Sequence, residues 1–314
     1  FFFVMTDTHA CASVSALASS GKFEQKLNGS CLKLDVNIPD NRFILKWNTP
    51  PKTVLILGKY FDPECRDLML EIANWLDSEK NLCVILPDEI SSETKYPGHS
   101  EVENFQDKVD FIVGIGGDGT LLYVNSLFPT RVPPVIPFKV GSLAFMAIFE
   151  ANEYKSIIQR VLDGNFNILS RSRLNVNVYR NNSNTPESSY VVLNETCIDK
   201  GPSGSCCTLD TYCGDQIITT VTGDGLIIGT STGSTAYNLA AGGSMVHPMV
   251  NAMLFTPICP HSLSFRPVIL PASVTVRIVV PEDARISAWA MFDGRNQTEL
   301  KVNDSVTATI SPYP

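Results

Sequence analysis

An α/β domain followed by a mainly antiparallel β domain is the architecture the sequence predicts, and three observations predict it. Short continuous apolar runs at residues 54–57, 82–86 and 111–115 alternate with helical patterns, as in a parallel sheet covered by helices. After Gly164 the apolar period changes to two, the mark of antiparallel strands with one face buried. Gly164 itself follows an amphipathic helix and is placed to end it, which puts the boundary near residue 165.

The elements follow in order. Residues 1–48 carry weak periodicity and are expected to form a weakly structured extension. Residues 10–20 (ACASVSALASS) read as a floppy segment more readily than as the remnant of a transit segment. The α/β domain is expected over 49–164. Its first strand is VLIL at 54–57, and the helix over 66–77 puts Met69, Ile72, Ala73 and Leu76 on one face. A second strand falls at 82–86, residues 87–108 are polar and loop-like, and FIVGI at 111–115 forms a third strand. A short helix carrying Leu121, Leu122 and Val124 follows, then a strand from Val135 and a helix over 151–163 aligning Tyr154, Ile157, Ile158, Val161 and Leu162. The β domain, over 165–314, shows alternation at Leu174, Val176 and Val178, at Val274 through Val280, and at Val306, Ala308 and Ile310. The exception is STGSTAYNLAAGG at 231–243, a short helix opened by hydroxyl residues and closed by Gly242 and Gly243.

Composition bounds the chemistry. The 314 residues are 44% hydrophobic, with mean hydropathy +0.07, which suits a globular chain and excludes a mostly disordered one. No apolar run reaches the roughly 18 residues a membrane-spanning helix needs, so no membrane partner is expected. A net charge of −8 with 24 Lys and Arg argues against nucleic acid as a partner. An acidic chain still binds anionic nucleotides where backbone N–H groups or a metal ion take up the phosphates. Nine scattered cysteines, with no Cys-x-x-Cys pair, fit reduced thiols in a reducing compartment such as the cytoplasm, or an organelle, better than a disulfide framework. Cys259 and His261 supply two metal ligands, too few for a structural zinc site.

Three clusters carry chemistry. Gly116-Gly117-Asp118-Gly119-Thr120 stands at the carboxyl end of a buried strand, the edge at which open α/β sheets bind ligands. Glycines there let backbone approach phosphate, and the following helix start offers free N–H groups. An ionised Asp118 beside such a site can act as general base on a hydroxyl or hold a metal ion. The same five residues also read as a tight strand–helix turn with a capping Asp. Asn194-Glu195 ends the strand at 190–193; Asn offers a donor and an acceptor and Glu accepts from two hydroxyls, which suits a base edge and a ribose diol. By itself the pair also reads as a polar strand end. Gly223-Asp224-Gly225, with the hydroxyl-rich run from Gly229 to Tyr237, would admit a flat heterocycle against the backbone with Tyr237 stacked on it. A glycine-rich loop with a helix cap is the plainer reading of that run.

In this order the clusters resemble the NAD kinase family. The matching residues are Gly116–Thr120, Gly141-Ser-Leu-Ala-Phe145, Asn194-Glu195, Gly223-Asp224-Gly225, Thr232-Gly-Ser-Thr-Ala-Tyr237 and Ala241-Gly242-Gly243. The stretch from Thr256 to Pro267 and Phe292-Asp293-Gly294 look like the eukaryotic branch. The likeness runs over residues 46–311. It implies a Rossmann-like α/β domain and a mainly antiparallel β-sandwich domain. It implies transfer of the ATP γ-phosphoryl group to the 2′-hydroxyl of the adenosine ribose of NAD, with Mg²⁺ or another divalent cation, in a homo-oligomer, dimer or tetramer. Carried over by motif, Asp118 would be the base, with Gly117, Gly119, Thr120 and Phe145 around the phosphate-binding turn. Asn194 and Glu195 would hold the adenosine moiety, and Thr235, Ala236 and Tyr237 would line the adenine pocket. Asp224 would face the nicotinamide end with Thr222 close by, and Thr232 and Ala240 would complete the wall.

The sequence departs from the family pattern in four places. Ala144 stands for a Gly, Ser231 and Gly229 stand for a Pro and a Ser or Ala and imply a looser loop, and Ala147-Ile148 stands for Thr-Pro. Family members also continue into a helix with a Trp, whereas this sequence stops at Pro314, so the resemblance implies truncation at both ends. Two alternatives stay open at this point: a diacylglycerol- or sphingosine-type lipid kinase sharing the Gly-Gly-Asp-Gly-Thr turn, and a non-catalytic NAD-binding homologue.

Overall fold

The computed structural model describes residues 11–13, 32–35, 42–141, 144–164, 166–262 and 265–313. Its chain contacts divide it between Ser170 and Arg171.

In the first unit, apolar runs with both faces covered make the centre of the sheet. Strands Thr53–Gly58, Cys83–Ile85, Phe111–Gly116 and Val135–Lys139 are mutually parallel, with Phe111–Gly116 between Thr53–Gly58 and Val135–Lys139. Every residue of Phe111–Gly116 is buried. The helix Pro63–Lys80 starts where Asp62 accepts from the Glu64 N–H and stops at Asn81, which takes the left-handed conformation. Its buried side chains, Cys65, Met69, Ile72, Ala73, Trp75 and Leu76, join Val54, Ile56, Phe111 and Val113 in one core. The helix Tyr154–Leu162 adds Tyr154, Ile157, Ile158 and Val161, with the Tyr154 ring edge-on to Trp75 at 5.7 Å. These elements fall where the apolar pattern placed them.

Two stretches differ from the sequence reading. Residues Arg42–Trp47, read as part of an extension, form a strand pairing antiparallel with Leu32–Asp35 and with Phe166–Leu169. The strand Phe166–Leu169 was assigned to the β domain, yet it belongs to this first sheet and also pairs with Cys11–Ser13. The rest of the expected extension lies outside the described residues. The polar stretch 87–108 is not all loop: it holds the one-turn helices Asp88–Ser91 and Phe105–Lys108 and a 3-10 turn at His99–Glu101. In each case long-range partners select a conformation that a weak local pattern leaves open.

The second unit is a sandwich of two six-stranded sheets whose strand pairs are all antiparallel. Strands such as Leu174–Tyr179 and Cys207–Cys213 alternate buried and half-buried side chains, as a sheet with one covered face requires. Gly225–Thr230 and Ala252–Ile258 are buried throughout. Leu226, Ile228, Met253 and Phe255 face the common core with Leu174, Val176 and Ile278. Ile227 and Ile258 pack on the opposite face with Cys197, against Ala241 and Met291. The chain leaves Gly225–Thr230 through a 3-10 turn, Thr232–Thr235, into the one-turn helix Tyr237–Ala240. All seven cysteines among the described side chains are free. No described helix is long and apolar enough to cross a membrane.

Ile72 is fully buried at the helix–sheet contact of the first unit. Ile72→Ala is expected to lower the stability of that unit by about 2–5 kcal/mol, the cost of a large-to-small change in a packed core. Urea denaturation of the two proteins measures it.

Candidate functional site

In the first unit the site is a glycine turn. Strand Phe111–Gly116 ends with Gly116 at φ +139°, where an added Cβ would also lie 2.8 Å from the Thr120 hydroxyl, so glycine is required there. Gly117 caps the helix Asp118–Leu127, and Gly119 opens its first turn onto free space. Thr120 is buried, its hydroxyl directed back at the Ile115 carbonyl at 3.4 Å. The Asp118 carboxylate does not cap its own helix. It accepts from the backbone N–H groups of Phe145 at 3.1 Å and Met146 at 2.8 Å. The carboxylate is thereby aimed by the backbone of Phe145 and Met146, and the capping-Asp reading falls away. Ala144, the first departure from the family pattern, immediately precedes these two donors. The Phe145 ring is 57% exposed. Sequence reasoning passed over Lys59, whose stem runs beside Gly116.

In the second unit the site is built around residues 193–195. Asp293 sits in the turn between Ala288–Phe292 and Arg295–Leu300, at φ +48° with Gly294 at φ +70°, a pair of left-handed residues typical of a tight hairpin. Its carboxylate collects three consecutive backbone donors: Leu193 and Asn194 at 2.8 Å and Glu195 at 3.2 Å. Tyr190 stacked on Phe292, centroids 3.9 Å apart, holds the two segments together. From the other side the Asn194 carbonyl accepts the Thr230 N–H at 2.8 Å, and the Thr230 hydroxyl donates to the Leu193 carbonyl at 2.6 Å. Asn194 is 8% exposed, and its side-chain amide makes no hydrogen bond among the described residues.

Glu195 is the electrostatic centre of this half. Its Oε2 is buried and has no hydrogen-bond partner. Burial, then the nearby Asp293 charge, push its carboxyl up to about 8, while the Tyr237 backbone N–H pulls the other way. A buried carboxyl oxygen without a partner costs free energy until a donor reaches it, and a ligand hydroxyl is such a donor.

The remaining sequence-selected residues form the wall. Thr232 is buried, with its hydroxyl beside the Arg171 guanidinium at 3.3 Å; Thr235 and Ala236 are half-buried; Ala240 is exposed. Tyr237 is 43% exposed, and its hydroxyl feels the charges of Asp199 and Asp224. Asp224 pairs with Lys200 at 2.8 Å, and Thr222 accepts the His261 backbone N–H at 2.9 Å. The loop from 231 is not loose. Ser231 bonds the Val250 carbonyl, and buried Asn238 ties Ser234 and Ser244 carbonyls at 3.1 Å each while accepting from Thr256 at 2.6 Å. A hydroxyl and an amide thus supply the stiffness that the absent proline would have given. Asp293, Lys200 and Asn238 were missed. The only signal was Asp293-Gly294, a hairpin dipeptide that named a turn but not its partner.

Family models match stretches of both units. The family model for the ATP-NAD kinase N-terminal domain matches residues 54–166, and that for the ATP-NAD kinase C-terminal domain matches 193–314. The chain is 44% identical over 289 residues to a probable NAD kinase 1 of Oryza sativa subsp. japonica, covering 88% of this chain and 54% of that protein. It is 42% identical over 237 residues to an ATP-NADH kinase of Saccharomyces cerevisiae, covering 71% of this chain and 48% of that protein. The chain therefore spans about half the length of these curated relatives. The crystal structure of yeast NADH kinase complexed with NADH superposes with a TM-score of 0.79 at 34% identity, over 91% of this chain and 88% of that one. An NAD kinase from Archaeoglobus fulgidus, at 17% identity and a TM-score of 0.62 over 84% of this chain and 91% of its own, shares the fold.

Two glycines, Gly229 in the strand Gly225–Thr230 and Gly233 in the turn after it, separate a free position from a packed one. A Cβ at Gly233 would lie 2.2 Å from the Asn194 carbonyl oxygen, whereas at Gly229 the nearest atoms are 3.6 Å away. Gly233→Ala is expected to destabilise by about 1–3 kcal/mol through overpacking, and Gly229→Ala to be neutral or to stabilise by up to about 1 kcal/mol. Thermal unfolding distinguishes them. Glu195 adds a pH signature. Its folded value of about 8 lies above the ordinary 4.5, so the folded state holds a proton that the unfolded chain releases, and stability falls as pH rises between those values. Glu195→Gln removes that loss. Its advantage in unfolding free energy is expected to be absent below about pH 4, to grow up to pH 8, and to reach a few kcal/mol there, measured by urea denaturation across that range.

Proposed function

The chain belongs to the NAD kinase family, and from that membership we propose that it transfers the γ-phosphoryl group of ATP to the 2′-hydroxyl of the adenosine ribose of NAD, forming NADP. The observation that carries the proposal is the buried, partnerless Glu195 oxygen beside an Asn194 amide without a hydrogen bond among the described residues. That pair is suited to the hydroxyls and base edge of an adenosine. A lipid headgroup calls for no such pair, and the diacylglycerol- or sphingosine-type alternative is not favoured. Relatives are named for NAD and for NADH as acceptor, and the adenosine end that these residues would read is common to both.

The roles follow the chemistry. Asp118 takes the proton from the 2′-hydroxyl as that oxygen bonds to the γ-phosphorus. The bond from the γ-phosphorus to the β–γ bridging oxygen breaks, and ADP leaves. A secondary alcohol is a poor nucleophile, so a positioned base contributes about 10²–10⁴-fold. The two backbone donors to Asp118 leave lone pairs on each carboxylate oxygen for that proton. Gly117 and Gly119 hold the donor's phosphates, Gly119 by leaving the helix start uncovered, while Thr120, its hydroxyl on the Ile115 carbonyl and its N–H on the Gly117 carbonyl, supports the turn from behind. In the second unit, Thr235, Ala236 and Tyr237 line the adenine, with Thr232 and Ala240 behind them, and Asp224 with Thr222 receives the nicotinamide end.

The divalent cation enters with the donor as MgATP. Among the described residues no three His, Cys, Asp or Glu side chains converge into a metal cage, and Mg²⁺ in phosphoryl-transfer sites is bound largely through substrate phosphates. A homo-oligomer in a thiol-reducing compartment such as the cytoplasm completes the proposal; the free cysteines support the compartment.

The test is NADP formation from NAD and MgATP, followed by a coupled dehydrogenase assay. The wild-type chain is expected to turn over, and Asp118→Asn to lose about 10²–10⁴-fold in kcat with an unchanged melting temperature. NAD binding without NADP formation would identify a non-catalytic homologue instead. Phosphorylation of diacylglycerol would restore the lipid-kinase reading.

A further inference from the structure

We propose that Asp293 is a positioning residue for substrate recognition, fixing the aim of the Asn194 and Glu195 side chains through its three bonds to the backbone N–H groups of 193–195. The proposal rests on the reading of that pair as the adenosine-binding element.

In an extended strand, successive N–H groups point in alternate directions. Three in a row closing on one carboxylate therefore mark a local bend where the chain enters the strand Glu195–Asp199. The bend is clamped on its far side by the Asn194 carbonyl's bond from Thr230 and by Gly233, which leaves no room for movement toward the loop. Asn194 and Glu195 are thus held from both sides.

Fold stability alone does not call for an acid here. A backbone carbonyl or an Asn oxygen would satisfy buried N–H groups without a second buried carboxyl next to Glu195, and like charges at such distance disfavour each other. Other groups surround the pair. Arg173, almost fully buried, and Arg295 act on Asp293; Cys197 and the Tyr237 backbone face Glu195. Burial raises the Asp293 carboxyl above its usual range, its three backbone donors and then Arg295 pull it back, and its field favours the protonated form of Glu195. Protonated, Glu195 can donate one hydrogen bond and accept another, which matches a diol.

The experiment uses the full chain with Asp293→Asn. The NAD KM is expected to rise about tenfold, with kcat and the ATP KM within about threefold, the size expected for losing a charge-assisted bond. In ligand-free protein labelled with ¹³C-glutamate, the Glu195 resonance, assigned by its loss in Glu195→Gln, is expected to titrate at lower pH in the variant. Should Asp293→Asn fail to fold, Asp293→Ser supplies a small uncharged acceptor for the same measurements. An unchanged NAD KM overturns the proposal. So does an unmoved Glu195 titration, or an equal fall in kcat that tracks melting temperature. If the wild type makes no NADP, the adenosine reading fails, and the titration alone still decides whether Asp293 positions Glu195.

Discussion

One buried carboxylate gathers the backbone of three consecutive residues, and the candidate site of the second unit is organised around it. Asp293 stands about a hundred residues beyond Leu193, Asn194 and Glu195, yet it supplies the hydrogen bonds their N–H groups need. A buried N–H without a partner is costly, so the segment is bound to this turn wherever the sandwich brings the two together. The sandwich does so through paired strands: Thr196 lies opposite Phe292, and the Tyr190–Phe292 stack closes the same corner.

The constraint has a consequence for the facing loop. Once the Asn194 carbonyl is fixed, Thr230 and Gly233 must meet it, and Gly233 has no space for a side chain. Asn238 then anchors the following turn to Thr256 in the neighbouring strand. Hydroxyls of this run are occupied: Thr230, Ser231 and Ser234 bond backbone carbonyls. The density of Ser and Thr in this stretch reflects loop fixation. What stays unpaired is narrower, and it is Glu195 Oε2 that carries the functional argument.

The first unit solves a different problem with the same means. A fully buried strand delivers the chain to a glycine turn, and backbone donors from a distant segment aim the acid at its end. Asp118 and Asp293 both accept peptide N–H groups from another segment of the chain. Orientation by backbone is rigid, because the donors belong to the chain itself and have no rotamers to lose.

Local pattern was enough for much of this protein. Continuous apolar runs mark strands covered on both faces, alternation marks those covered on one, and Gly116 through Thr120 marks a ligand-binding turn, because all these depend on neighbours within a few residues. The sequence alone therefore determined the order of the two architectures and singled out the candidate residues for the chemistry. Only the tertiary structure decided that Arg42–Trp47 and Phe166–Leu169 share the first sheet, and that Asp118 faces the 145–146 backbone instead of capping its helix. It alone tied Asp293 to 193–195 and Asp224 to Lys200. The reason is physical: hydrogen-bond and charge partners across the fold are chosen by which strands pair, and strand pairing leaves no periodic trace in the chain between them.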